Sequence, residues 1–229
     1  MFYKYNDKEY ELLFDKRIDI YVTPFHNDLF MMKIMLDCLE KAEYFIETGL
    51  YLGYTSYFVA KNFTNIKCYS CENNMEYFNL AQNNIGTLDN LKTELICSPL
   101  GLYQLNKIYD DTIFEKCNVF WIDAHWYDYC PLNDEIDYIT QNYKKFIMFI
   151  DDFTIPYDNR FRNDGNSFTI ESIKPFIKNK ENLKIYMPCY DSTHPDCNNI
   201  HNNSELPVGY CIITTETIET YDYLKEIII

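Results

Sequence analysis

The stretch Glu47-Thr48-Gly49-Leu50-Tyr51-Leu52-Gly53-Tyr54-Thr55-Ser56 decides how this chain is read. It follows the apolar run Tyr44-Phe45-Ile46 and leads into Tyr57-Phe58-Val59-Ala60, an order that predicts a strand, a tight glycine turn and a helix start. Glycines let backbone approach a ligand closely or take a positive φ. The helix that follows opens with free N–H groups, which Thr55 or Ser56 is expected to cap. Glu47, at the strand end, is suited to accept from a ligand amine or hydroxyl. The glycine spacing is not the G-x-G-x-x-G of a dinucleotide fold, which counts against a nucleotide-binding oxidoreductase.

Outward from this turn, strands and helices alternate. Strands are predicted over residues 66–70, 91–97, 118–126 and 145–152, with helices over 54–62, 75–84, 100–109 and 131–143. Such alternation implies a parallel sheet with right-handed crossovers. A helix over 24–42 feeds the first strand, and residues 18–22 suggest an edge strand or lid segment. Beyond a loop-like region, a helix over 170–179 and strands over 183–188 and 208–215 are expected to close the sheet with an antiparallel hairpin. The expected fold is therefore α/β and doubly wound: a mostly parallel, seven-stranded Rossmann-like sheet with an antiparallel edge hairpin and helices on both faces. It is read as one domain, with residues 1–40 as an N-terminal extension or lid, 40–155 as the cofactor-binding core, and 156–229 as C-terminal strands and substrate loops.

Acids mark the carboxyl ends of these strands, where open α/β sheets hold ligands. Glu72 ends the second strand, 25 positions beyond Glu47. The fourth strand stops at Ile122-Asp123-Ala124-His125 and the fifth at Ile150-Asp151-Asp152. Neighbouring strands bring Asp123, Asp151 and Asp152 together, and three crowded carboxylates raise one another's pKa unless a divalent cation compensates them. Oxygen-only ligation suits Mg²⁺, Ca²⁺ or Mn²⁺ better than zinc. If the strand stays extended, Asp123 and His125 point the same way. Arg160 and Arg162 either bind substrate or pair with carboxylates. Trp126, Tyr127 and Tyr129 either stack on a substrate or pack.

With 20 Lys and Arg against 35 Asp and Glu, the net charge of −15 disfavours nucleic acid or an anionic membrane as partner. The N-terminus lacks a signal-peptide pattern and no apolar run approaches a membrane span, so a cytoplasmic protein is expected. The 9 cysteines read as reduced thiols. Cys68-Tyr69-Ser70-Cys71 is read as core rather than as a zinc or redox motif. Cys189, His194, Cys197 and His201 match no standard zinc spacing and are read as loop.

Taken in order, the glycine turn, Glu72, Ile-Asp-Ala-His and Ile-Asp-Asp resemble the class I S-adenosylmethionine-dependent methyltransferases, and among them the metal-dependent macrocin-type small-molecule O-methyltransferases. The resemblance covers roughly residues 40–155. It implies that Glu47, Gly49 and Gly53 hold the methionine end of the cofactor, that Thr55 and Ser56 at the helix start belong to the cofactor site, and that Glu72 binds the ribose hydroxyls. Ser98 stands where the family often has an acid near the adenine. Asp123, Asp151 and Asp152 match the family's metal ligands, with Mg²⁺ or another divalent cation implied. The implied acceptor is a small hydroxylated molecule such as a sugar or glycan precursor. His125 is the candidate base, because imidazole ordinarily titrates near neutrality; Asp123 is assigned to the catalytic group with it. Asp-Ala-His departs from the family's usual continuation, and the lysine of its catechol branch has no counterpart. A metal-free methyltransferase and a non-catalytic binding protein of the same fold stay open, as does assembly into a homo-oligomer.

Overall fold

The computed structural model describes residues 24–125, 129–163, 165–179, 181–197 and 207–228. The elements in chain order are α1 (Leu29–Lys41), β1 (Tyr44–Thr48), α2 (Tyr54–Asn62), β2 (Lys67–Glu72), α3 (Met75–Ile85), β3 (Leu91–Leu95), α4 (Ser98–Tyr103), α5 (Leu105–Tyr109), β4 (Cys117–Ile122), α6 (Leu132–Asn142), β5 (Lys145–Ile150), α7 (Ile170–Ile173), β6 (Lys184–Pro188), β7 (Cys211–Thr214) and β8 (Leu224–Ile227). The sheet order is β3-β2-β1-β4-β5-β7-β6-β8. The pairings from β3 through β5 are parallel, whereas β7 runs antiparallel to both β5 and β6, and β6 pairs antiparallel with β8.

The predicted parallel core and antiparallel hairpin are thus both present. The sheet has eight strands, however, where seven were expected. The additional strand, β8, is four residues long and mostly exposed. So short an edge strand carries almost no alternation to read.

Apolar residues on successive positions follow from burial on both faces. Ile46, Phe120, Ile122, Met148 and Ile150 pack on one side, with α4, α5 and α6; Phe45, Val119, Trp121, Ile147 and Phe149 pack on the other, with α1 and α2. Cys68 and Cys71 fall on opposite faces of the sheet, so strand geometry itself keeps the C-x-x-C pair apart, and both are free thiols in the core.

The C-terminal part of the segment expected as an extension or lid lies in the core. Met31, Met32, Ile34 and Met35 of α1 have no exposed surface. The helix also starts later than its apolar spacing suggested, at Leu29, because Asp28 caps the N–H groups of Phe30 and Met31 while Phe25 and His26 take left-handed backbone at φ 51° and 54°. The strand expected at residues 18–22 lies outside the described residues.

Candidate active site

Strand β1 delivers Glu47 to the sheet's carboxyl edge, and the turn after it is built by two left-handed glycines, Gly49 at φ 87° and Gly53 at φ 83°. At Gly49 a side chain is sterically excluded, since a Cβ there would lie 2.3 Å from the backbone oxygen of Asp123. The turn after β1 therefore rests directly on the end of β4. The N–H groups of Gly49 and Leu50 both donate to Cys71 O, tying the turn to β2.

The expected cap is not made by Thr55 or Ser56. Gly53 occupies the N-cap of α2 without a side-chain bond. Ser56 instead donates its hydroxyl to Glu47 Oε2 at 2.5 Å, and Ser70 donates to the same oxygen at 2.7 Å. Burial pushes the Glu47 carboxyl up to about 7, against the pull of these two hydroxyls and with the Glu72 charge adding to it. Thr55 is half-buried at the helix start. Glu72 accepts from the backbone: Oε2 from Tyr51 N and Oε1 from Asn74 N, each at 2.9 Å.

Ser98 is buried, and its hydroxyl donates to Glu135, a carboxylate on α6 with no exposed surface. Burial raises the Glu135 pKa, with hydrogen bonds from Ser98 and Thr48 opposing that shift. Glu135 was not anticipated. It lies on the helix between β4 and β5, away from any strand end, on a segment whose periodicity reads as ordinary amphipathic helix.

The β4–β5 edge gathers more than the sequence indicated. β4 ends at Ile122 rather than at Trp126, so the argument from strand alternation does not reach His125. One ligating atom each of Asp123, His125 and Asp152 lie within 4.8 Å of one another, whereas the three aspartates predicted as metal ligands, Asp123, Asp151 and Asp152, do not form one such group among the described residues. A second group, His26, Asp123 and Asp151, satisfies the same limit, so Asp123 is common to both.

His26 Nε2 stands 2.6 Å from Asp151 Oδ2, and His125 Nε2 stands 3.5 Å from Asp152 Oδ2. Asp152 takes φ 54°, and its Oδ2 also accepts from Asn166 Nδ2 at 3.1 Å. Burial, reinforced by the charges of Asp151, Asp152 and Glu47, holds the Asp123 carboxyl well above the usual carboxylate range. Burial alone would lower the His26 pKa. The charge and hydrogen bond of Asp151, with the charge of Asp152, outweigh that effect and raise it. Asp151 Oδ1 and both ring nitrogens of His125 are buried without a hydrogen-bond partner. Such atoms are rare in folded proteins and call for a partner, an ordered water or an ion. Oxygen and imidazole donors with unfilled capacity fit a divalent cation.

Of the two arginines, Arg160 binds Asp158 through Nε at 3.0 Å and reaches Asp191 at 3.3 Å, so it ties its own loop to the one after β6. Arg162 sits close enough to His26 to oppose its protonation electrostatically. Tyr129 is half-buried; Trp126, Tyr127 and His201 lie outside the described residues. No described helix is long and apolar enough to cross a membrane.

No protein-family model matches the sequence, and no curated protein matches it. Solved structures do match in shape. An O-methyltransferase from Bacillus cereus in complex with SAH is 13% identical, with a TM-score of 0.50 over 90% of this chain and 88% of that one. Cofactor-bound Rv0187 from MTB is 11% identical, with a TM-score of 0.51 over 90% and 85% of the two chains. Precorrin-6y C5,15-methyltransferase from Geobacter metallireducens is 14% identical, with a TM-score of 0.50 over 79% and 86%. At these identities the likeness speaks for the architecture, and the chain has the fold of the class I S-adenosylmethionine-dependent methyltransferases.

Proposed function

We propose that the chain is an S-adenosylmethionine-dependent O-methyltransferase acting on a small hydroxylated acceptor, a sugar or glycan precursor, with a divalent cation orienting the acceptor hydroxyls. The observation that carries this reading is the contact between its two halves. The Gly49 turn lies against the Asp123 carbonyl so closely that a Cβ would overlap it, which sets the cofactor-type turn and the acid cluster side by side.

In this reading Glu47, Gly49, Gly53 and Glu72 shape the cofactor's place. Glu47 and Glu72 retain acceptor capacity beyond the bonds they already receive. Asp123, Asp151 and Asp152 hold the cation, which supplies Lewis acidity toward an acceptor hydroxyl when bound. His125 takes the hydroxyl proton on its ring, and the Asp152 carboxylate, 3.5 Å from Nε2, stabilises the imidazolium so formed. As the acceptor oxygen bonds to the methyl carbon, the carbon–sulfur bond of the sulfonium breaks and the proton rests on His125. Holding both reactants on one rigid sheet edge is the main contribution of the fold.

Calorimetric titration of S-adenosylmethionine and of its demethylated product, with Mg²⁺ and after EDTA treatment, tests the proposal. Binding of both nucleosides, and methyl transfer to a vicinal diol that EDTA suppresses, are the expected results. If neither nucleoside binds under any condition, the methyltransferase reading is wrong. Tight binding without turnover on any acceptor would leave a non-catalytic nucleoside-binding protein.

A further inference from the structure

We propose that His26 Nε2 is a further protein donor to the cation at the β4–β5 edge, so that the centre is a mixed imidazole–carboxylate site for a transition-metal dication of the Mn²⁺ or Fe²⁺ kind rather than an oxygen-only magnesium site. This rests on the metal reading above and goes beyond it in the ligand set and the class of ion.

The turn that carries His26 is built at a cost. Two consecutive side-chain-bearing residues, Phe25 and His26, adopt left-handed backbone, an unfavourable conformation for a residue that carries a Cβ. Packing holds them there. Phe25 is 1% exposed and meets Trp121 edge-on at 5.2 Å and Phe58 at 6.0 Å. Asp28 starts α1 immediately afterwards. The outcome is a histidine from near the start of the described chain, its ring 6.0 Å from that of Trp121, with Nε2 on an acid 125 positions away.

An ion pair with Asp151 would account for one carboxylate oxygen. The other, Asp151 Oδ1, stays buried and without a partner, on a residue 1% exposed. His26 Nε2 and one oxygen each of Asp123 and Asp151 lie within 4.8 Å of one another. Ligands about 2.0–2.2 Å from a common ion sit up to about 4.3 Å apart, so small side-chain adjustments complete the shell. Donor chemistry then selects the ion, because imidazole nitrogen favours transition metals whereas Mg²⁺ prefers oxygen and water.

The test uses the full chain loaded with Mn²⁺ and examined by electron spin-echo modulation, alongside calorimetric titration of Mn²⁺ and Mg²⁺. Nitrogen-14 modulation on the wild-type Mn²⁺ signal is expected, retained in His125→Ala and lost in His26→Ala. Mn²⁺ is expected to bind at least about 10-fold more tightly than Mg²⁺, and His26→Ala to weaken Mn²⁺ about 10–100-fold while leaving Mg²⁺ nearly unchanged. Absence of nitrogen modulation in the wild-type protein, or modulation and Mn²⁺ affinity unchanged in His26→Ala, would overturn the proposal and leave His26 as the ion-pair partner of Asp151. If neither cation binds the wild-type chain, or Asp151→Asn binds both as well as wild type does, the metal reading itself fails, and with it this inference.

Discussion

At the β1–β2 edge the acids are engaged by the protein itself, whereas at the β4–β5 edge, one strand away, buried polar atoms are left without partners. Glu47 receives two serine hydroxyls and Glu72 receives two backbone N–H groups. Asp151 Oδ1 and both nitrogens of His125 have no hydrogen-bond partner, and burial with the acidic neighbours holds the Asp123 carboxyl well above the usual carboxylate range. The acids of the first edge are held by internal hydrogen bonds. The second carries unsatisfied groups that cost about 1–3 kcal/mol each until something fills them, so ligand binding there should feed back on stability and ligand binding at β1–β2 should do so much less.

The largest effect expected from breaking this contrast is at His125. Replacing it with alanine should lower turnover about 10²–10⁴-fold in a methyl-transfer assay, with cofactor affinity by calorimetry unchanged. A variant that keeps full turnover would remove His125 from the base role. Next is Asp151→Asn, which should weaken divalent-cation binding more than about 100-fold, since even residues outside the ligand shell contribute 10–100-fold. Because it also relieves carboxylate crowding, its cation-free melting temperature should stay at or above that of wild type.

Gly49→Ala joins the two edges in one experiment. Positive φ and a Cβ 2.3 Å from Asp123 O should together cost about 3 kcal/mol, or a melting temperature lower by about 6–12 °C. It should weaken cofactor and cation binding together, because the displaced atom belongs to the acid strand. A stable variant impaired only in cofactor binding would show that the two edges are independent.

The smallest effect concerns pH. Burial lifts the Glu47 carboxyl from 4.5 to about 7, so the folded chain holds a proton that the unfolded chain releases. Its unfavourable contribution is absent below about 4.5 and complete above about 7, and stability therefore falls as pH rises through that window. Glu47→Gln should flatten this fall by up to about 3 kcal/mol in chemical unfolding at stepped pH. Asp28, pushed up to about 7 by burial against the hydrogen bond of Tyr190 and those of Met31 and Phe30, should supply slope that remains. No flattening in Glu47→Gln would mean that Glu47 is ionised at low pH and freely hydrated.

The turn, the parallel order and the three strand-end aspartates were readable because each depends on neighbours in the chain. Gly49 and Gly53 are punctuation within one βα unit, and Asp123 and Asp151 follow buried runs that can only be interior strands. β8 was not readable, because four residues at a sheet edge, mostly exposed, leave no periodic signal. Ser56 looked like a cap and proved to be a donor to Glu47, because the left-handed Gly53 already held the cap position.

The sequence by itself determined the sheet's parallel core and which acids end its strands, since local periodicity and turn chemistry act over a few residues. Only the tertiary structure decided what those acids meet. His26 reaches Asp151 across 125 positions through two left-handed residues wedged by Phe25 against Trp121, and Ser98 is paired to Glu135 across 37. Contacts at such separations are set by how helices pack on the sheet, and no period in the chain records them.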